Sequence, residues 1–159
     1  MVKTKDRFLI NRALTIIAYV YGWEVANKLS NMNIEVEYYD TLRRIKHVYV
    51  NGKVAFSIRA SDGLLIPTLY GASLVNSWIK VNDETAQYVK QGRSVPVKGV
   101  IEVNNALQNM DVAIIDKEGN VVGVGRLLIM PDEAKSVGRG FIVKTRHHVK
   151  VSKEQPNVS

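Results

Sequence analysis

Residues 119–128 read GNVVGVGRLL, with two glycines separated by one residue and an arginine directly after them. A phosphate-binding glycine loop lies between a strand and the N-terminus of a helix, where backbone amides point at the anion. Here β-branched and aliphatic residues continue to Met130, and Pro131 ends the run. Both glycines therefore lie inside one predicted strand, where they mark a bend, a bulge or the close approach of another backbone. If their face is exposed, it offers a strip for a ribose-phosphate backbone beside Arg126.

The segments around this strand predict a small mixed barrel. WIKV at 78–81 has a strand pattern, and a polar-capped helix over 83–91 can end at Gly92. Further strand-like runs follow, with a short irregular or helical excursion from Pro131 before the last one; they cover 93–103, 110–116, 120–130 and 141–151. This order has no alternation of strands and helices, so it favours a barrel over a doubly wound sheet.

The first half of the chain predicts a helix followed by a β-hairpin. Helical spacing covers residues 7–29, with Gly22 as a point where the helix can break, and 34–39 alternates like a half-buried strand. Asn51-Gly52 separates two alternating runs, which is the strongest short signal for a hairpin with a type I′ turn. Asp62-Gly63 predicts another tight turn, and a short helix is expected over about 72–77.

Three aromatic residues of the first helical segment are expected in the core. They are Tyr19, Tyr21 and Trp23.

Composition restricts the function. The 159 residues include no cysteine, which excludes a disulfide framework, a thiolate zinc site and a cysteine nucleophile in this chain. The longest apolar run, 13–21, is far shorter than the roughly 20 residues of a membrane span. We therefore expect a cytoplasmic protein with no membrane association and no cofactor.

The formal net charge of +7 makes an anionic partner plausible. Residues 135–153 carry six lysines or arginines and no acid, which is either a phosphate-contacting stripe or a solvated face with a frayed tail.

Several of these segments together carry a family resemblance. GRSVPVKGVIEV, a hairpin ending in VVGVGRLLIM, and GRGFIVKTRHH resemble a PUA domain, a small RNA-binding barrel, over roughly Trp78 to His148. RRIKHVYVNGKVAFSIRASDGLLIPTLYGA resembles the domain that precedes the PUA domain in archaeosine tRNA-guanine transglycosylase, and archaeosine synthases share this tandem arrangement. The implied fold class is α+β, with a small α/β-hairpin domain over 1–77, a PUA-type mixed β-barrel over 78–150 and a flexible tail over 151–159.

The resemblance implies a set of RNA-binding residues in the second domain. In the family, the PUA domain holds the acceptor stem and the single-stranded 3′ end of tRNA, with lysines and arginines on phosphates and glycines permitting close packing. The matching positions in this sequence are Arg93, Ser94, Lys98, Gly99, Gly125, Arg126, Lys144 and Arg146. The turn NNALQNMD, with Met110 where a glycine is common, and the segment PDEAKSVGRG depart from the family pattern.

The resemblance also implies what this protein does. The catalytic barrel of the transglycosylase, with its aspartates and zinc site, is not among these residues. The expected function is that of a noncatalytic, archaeal tRNA-binding subunit acting with a separate catalytic archaeosine-pathway chain. The alternative is an independent PUA-domain adaptor in ribosome or RNA maturation.

A small enzyme in its own right remains a third hypothesis. Its only candidate pair is Asp62 with Arg59, and an Asp-Gly turn is the simpler interpretation of that segment. His147 and His148 are adjacent on a strand and point to opposite faces, so a structural or RNA-stacking role is favoured over a metal site.

Overall fold

The computed structural model describes residues 2–41 and 44–150, so the expected tail at 151–159 lies outside the described residues. The chain divides into two compact units, Met1–Trp78 and Ile79–Ser159. Each unit has its own sheet. Within the described ranges, no helix is long and apolar enough to cross a membrane.

The first unit is built on an antiparallel sheet in which the strands follow one another in chain order. The strands are β1 (Val2–Thr4), β2 (Ile34–Tyr39), β3 (Arg44–Val50), β4 (Lys53–Ile58) and β5 (Leu65–Pro67). The predicted hairpin is confirmed, since Asn51 and Gly52 have φ angles of 52° and 84° between β3 and β4. Both values are positive, as a type I′ turn requires.

Two helices, α1 (Arg7–Tyr21) and α2 (Trp23–Ser30), cover the helical segment expected over 7–29. The side chain of Asp6 caps α1 by accepting a hydrogen bond of 3.2 Å from the Leu9 amide. Gly22, with φ of 98°, separates the helices at the predicted position. The buried face of α1 includes Ile17 and Tyr21, which pack into the core of this unit.

The third helix, α3 (Leu69–Ala72), begins three residues before the expected position of 72–77. Thr68 decides where it begins: its hydroxyl accepts a hydrogen bond from the Gly71 amide and donates one of 2.7 Å to the Val54 carbonyl. That second bond joins the helix cap to β4, which is far away in sequence. Local spacing therefore did not reveal it.

The elements in the described part of the second unit are β6 (Trp78–Val81), α4 (Asp83–Lys90), β7 (Val95–Pro96), a 3₁₀ helix (Val97–Gly99), β8 (Val100–Asn104), β9 (Asp111–Ile115), β10 (Val121–Leu127), α5 (Pro131–Val137) and β11 (Phe141–His148). These strands form one sheet in the order β7-β11-β10-β9-β6-β8. The prediction of a single strand over 93–103 is thus wrong, because the 3₁₀ helix divides this segment into β7 and β8. The two halves lie at different places in the sheet, β7 beside β11 and β8 beside β6.

The centre of this sheet is the buried strand β9 and its neighbour β10. All five residues of β9 are buried, and β10 is buried from Val122 to Gly125. The pairing of β10 with β11 shifts between Val124 and Gly125, since Val124 faces His147 and Gly125 faces Thr145. Arg146 is therefore the extra residue of a β-bulge, and a bulge locally re-aims the side chains around it.

We predict that Gly125→Ala destabilises the protein by roughly 1–3 kcal/mol, the usual cost of forcing extra atoms into a packed core. A methyl group at this position would collide with the Lys144 carbonyl oxygen and stand 2.6 Å from Cγ1 of Val143. Urea denaturation followed by circular dichroism measures the change. Ser136→Ala on the exposed face of α5 is the matched control, with an expected change within about 0.5 kcal/mol. Equal midpoints for the two variants would contradict the packing argument.

Candidate nucleic-acid interface

The first predicted RNA-binding segment lies between α4 and the 3₁₀ helix. Gly92 has φ of 84°, which reverses the chain, and the Arg93 amide then donates a 3.0 Å hydrogen bond to the Tyr88 carbonyl. The Arg93 guanidinium lies 5.3 Å from the centre of the Tyr88 ring, and the Thr145 hydroxyl of β11 donates a 2.8 Å hydrogen bond to the Arg93 carbonyl. Arg93 is exposed and Ser94 is half-buried. The segment is therefore fixed at both its α4 end and its β11 side.

The 3₁₀ helix places Lys98 and Gly99 in opposite environments. Lys98 is exposed, while Gly99 is buried against the side chain of Thr85 on α4. A methyl group on Gly99 would stand 2.9 Å from Cγ2 of Thr85. Gly99 therefore permits the turn to pack on α4, and Lys98 is the residue of this pair that solvent reaches.

Arg126 and Lys144 form a cross-strand pair. They are directly opposite each other on β10 and β11, and both are exposed. Directly opposite side chains on antiparallel strands lie on the same face, about 5 Å apart at Cβ. Two positive charges at this spacing repel one another, and an anion between them would remove that repulsion. We call Arg126 and Lys144 the cation pair.

Arg146 lies in a different setting from the cation pair. Its Nε donates a 2.8 Å hydrogen bond to Oδ2 of Asp111, and a second bond of 3.3 Å joins its guanidinium to Oδ1. The Asp111 side chain is fully buried, while that of Arg146 is 25% exposed. Since β10 lies between β9 and β11, this ion pair spans three strands. Arg146 thus fixes the bulge beside the cation pair.

The two glycines of GNVVGVGRLL do not form an exposed strip. Gly123 and Gly125 are both buried. A methyl group on Gly123 would stand 2.6 Å from Cγ1 of Val89 on α4 and 3.0 Å from the His147 carbonyl oxygen. The backbone that approaches β10 is therefore that of β11, and the side chain that approaches it comes from α4.

The residues considered from the sequence for a metal or catalytic role, His147, His148 and the Asp62–Arg59 pair, lie outside the buried core. His147 is exposed, and the His148 ring lies over Gly92, with Nε2 3.2 Å from the position of a Cβ there. Among residues 2–41 and 44–150, which the structure describes, no group of three or more histidine, aspartate or glutamate side chains could hold a metal ion. Asp62 accepts hydrogen bonds from Arg59 and from the Leu64 amide, as a turn residue does.

Two further residues near Lys98 belong to this surface, although the family resemblance assigned no RNA contact to either of them. The Val97 amide donates a 2.9 Å hydrogen bond to the Gly140 carbonyl, and Phe141 pairs with Pro96. This brings Arg139 and Phe141, both exposed, next to the 3₁₀ turn. The local excess of basic residues over 135–153 was a signal for Arg139. An exposed phenylalanine in an alternating strand gives no comparable signal.

The expected burial of the aromatic residues in the first unit is wrong for two of the three. Tyr21 is buried, but Tyr19 is 92% exposed and Trp23 is 68% exposed. Helical spacing already places Tyr19 away from the buried positions Ile17 and Tyr21. Trp23 lies after the break at Gly22, where the periodicity of α1 no longer applies.

Comparisons with known families agree with this architecture. Residues 77–149 match the PUA domain, and residues 11–81 match the patch-forming domain C2 of tRNA-guanine transglycosylase. Among solved structures, a hypothetical protein of Pyrococcus horikoshii OT3 is 20% identical with a TM-score of 0.72, covering 95% of this chain and 96% of that chain. A conserved PUA domain protein from Thermoplasma acidophilum is 16% identical with a TM-score of 0.70, at the same coverage. Residues 77–149 thus form a PUA domain, and the fold class is α+β.

Curated relatives of this chain include proteins named tRNA-guanine(15) transglycosylase. A tRNA-guanine(15) transglycosylase of Methanocaldococcus jannaschii is 28% identical over 153 residues, covering 89% of this chain and 23% of that protein. The enzyme of the same name from Methanothermobacter thermautotrophicus is 26% identical over 145 residues, covering 86% of this chain and 22% of that protein. This chain thus carries the C2 and PUA domains that correspond to the C-terminal part of archaeal tRNA-guanine(15) transglycosylase, and it spans less than a quarter of the length of these relatives.

Arg146 and Lys144 are two residues apart on β11, but truncating each to alanine should change the free energy of unfolding by different amounts. We predict that Arg146→Ala lowers the free energy of unfolding by about 2–3 kcal/mol, because it removes charge-assisted hydrogen bonds from a buried carboxylate. Lys144→Ala, the control, should change it by no more than about 0.5 kcal/mol. Urea denaturation of both variants measures this. An unchanged free energy of unfolding in Arg146→Ala would mean that the ion pair does not stabilise the bulge.

The Asp62 carboxyl gives a pH prediction. Hydrogen bonds from Arg59 and then from the Leu64 amide hold the pKa of Asp62 at about 2. Because this pKa is lower in the folded state than in the unfolded state, the stabilisation is fully present above about pH 4 and is lost as the pH falls towards 2. In Arg59→Ala we expect the pKa to rise towards its ordinary value, as measured by a carboxyl NMR titration. Arg139→Ala should leave the titration of Asp62 unchanged.

Proposed function

We propose that this protein is a noncatalytic tRNA-binding component of a tRNA-modification system. Its PUA unit holds the acceptor stem and the 3′ end of tRNA, while a transglycosylase domain outside these 159 residues performs the chemistry. The observation that carries the proposal is the exposed cation pair of Arg126 and Lys144 on a PUA fold, in a chain whose curated relatives act on tRNA by name.

The chemistry of this surface suits an RNA end. Exposed Lys98 and Arg93 on the α4–β8 segment and the cation pair on β10 and β11 can contact phosphates, which supply most of the affinity for nucleic acid. Phe141, 59% exposed beside the 3₁₀ turn, offers a ring on which an unpaired base can stack. Charges and one exposed ring match an acceptor end, in which a duplex continues into a short single strand.

The other sequence-derived residues act indirectly in this proposal. Gly99 and Gly125 let the surface segments pack closely, and Arg146 holds the bulge through Asp111. Ser94 is half-buried on the segment that carries Arg93. The RNA contacts themselves come from Arg93, Lys98, Arg126 and Lys144.

A titration of folded tRNA against the purified chain at several salt concentrations tests the binding. We expect strong binding that weakens when the 3′-terminal nucleotides are removed. Arg126→Ala and Lys144→Ala should each reduce the slope of log K against log salt by about one unit for each phosphate that the protein no longer neutralises.

Lys117→Ala is the matched control for charge. Lys117 is exposed in the turn at the other end of the β9–β10 hairpin, about 16 Å from the Arg126–Asp111 end of the strands. This substitution removes one charge and should leave the affinity and the slope almost unchanged. Unaltered tRNA binding in an Arg126→Ala, Lys144→Ala double variant would contradict the assigned surface.

Copurification tests the proposed partner. We place the catalytic barrel of the transglycosylase on a separate polypeptide. Recovery of such a protein together with this chain would support the role of a tRNA-modification subunit. Recovery of ribosomal particles instead would favour an RNA-binding adaptor with the same fold.

A further inference from the structure

The outer surface of α1 in the first unit exposes aromatic side chains that no contact within that unit explains. Phe8 is 74% exposed and Tyr19 is 92% exposed. They are eleven residues apart, which is about three helical turns, so they lie on one face of the helix about 16 Å apart. Arg12 and Thr15, also exposed, occupy the same face between them. We call Phe8 and Tyr19 the aromatic stripe.

A groove lined with arginines adjoins the aromatic stripe on one side. It has a volume of about 210 Å³, and three arginines line it, namely Arg12 on α1, Arg44 on β3 and Arg59 after β4. Tyr39 also lines it, and the described lining contains no aspartate or glutamate. This is the arginine groove. Arg12 belongs both to it and to the exposed face of α1, so the groove opens directly beside the stripe.

The charge of the arginine groove favours an anion. Arg59 is already paired with Asp62 at the rim, so these two charges offset each other. Arg12 and Arg44 add two positive charges whose guanidinium forks suit the oxygens of a phosphate.

The opposite side of α1 carries a second cationic groove. It has a volume of about 560 Å³, and Lys5 and Arg7 line it together with the polar side chains of Asn11, Ser30 and Asn33. Its α1 residues lie on the other flank of the helix from Arg12 and Ile16, which line the arginine groove. The aromatic stripe is therefore bordered by positive charge on both sides.

We propose that this face of the first unit is a second nucleic-acid site, one that binds unpaired ribonucleotides. Bases stack on Phe8 and Tyr19, and one backbone phosphate occupies the arginine groove. Aromatic rings bordered by a cationic groove are the usual means of holding a single strand, because every base presents a face for stacking. A duplex has no free base face to offer, and an apolar protein partner would gain nothing from the flanking arginines.

The proposal rests on the proposed function only in taking RNA as the ligand. The surface is on a different unit from the cation pair, so the two sites can be tested separately. Together they would let the protein hold tRNA at its 3′ end and at a second unpaired segment.

The test uses the full chain and an unstructured oligoribonucleotide of about eight nucleotides, a length typical of single-strand sites. We expect the Phe8→Ala, Tyr19→Ala double variant to bind it at least tenfold more weakly with an unchanged salt slope, since stacking releases no counterions. The Arg12→Ala, Arg44→Ala double variant should lower the slope by about 0.7, the value for the one phosphate contact that the arginine groove makes with a single strand. Both pairs are exposed, so thermal unfolding should remain as in the native protein.

Conservative variants and a distant lysine provide the controls. Tyr19→Phe keeps the ring and should bind normally, and Arg12→Lys should retain the salt slope. Lys28→Ala removes an exposed charge on α2 that lines neither groove, and it should have no effect. Replacing the oligonucleotide with its duplex should abolish the contribution of the aromatic stripe.

Native oligonucleotide affinity in the aromatic double variant would overturn the proposal and leave the stripe as a protein-docking face. Native affinity in both double variants, combined with shifts of the Arg12 and Arg44 NMR signals on adding inorganic phosphate alone, would make the groove a free-phosphate site and would also overturn it. Neither outcome affects the cation pair, whose test is the loss of tRNA binding in Arg126→Ala.

Discussion

Gly125 of β10 packs directly against the Lys144 carbonyl of β11, and the position of every functional side chain on these two strands follows from that contact. The strands can approach this closely because Gly125 has no side chain. The bulge at Arg146 then absorbs the extra residue of β11, and the ion pair of Arg146 with the buried Asp111 holds the bulge from two strands away. With this geometry, Arg126 and Lys144 are directly opposite each other and open to solvent.

The basic residues of the second unit therefore divide into two kinds, although the sequence does not distinguish them. Arg146 is part of the internal structure, since its guanidinium satisfies a carboxylate that has no access to water. Lys144, two residues earlier on the same strand, faces solvent. An ion pair that stabilises the fold and a cation that attracts a polyanion follow different physical rules. The first is held by buried hydrogen bonds, whereas the second acts through a field that salt screens.

The first unit differs from the second in that its α1 helix exposes large aromatic side chains, Phe8 and Tyr19, to solvent. Leaving large aromatic side chains in water gives up the free energy of burying them, so exposed rings aligned on one face of a helix are candidates for a binding surface. On α1 these rings lie between two grooves whose charged lining residues are cations. That combination, and not exposure by itself, is what points to a nucleic acid.

Local chemistry was enough to determine part of this architecture from the sequence. Asn51-Gly52 specifies a turn, Gly22 ends a helix, alternating residues identify β2, and runs of β-branched and aliphatic residues identify β9 and β10, because these signals act over a few neighbouring residues. Segment order and the resemblance extended this to a PUA unit behind a C2-type domain. The tertiary structure alone decided which residues each element meets: that a 3₁₀ turn divides the strand after α4, that Thr68 caps a helix by bonding to β4, and that Arg146 pairs with Asp111. Each of these depends on contacts between residues far apart in the chain, and the spacing of residues along a sequence carries no information about such partners.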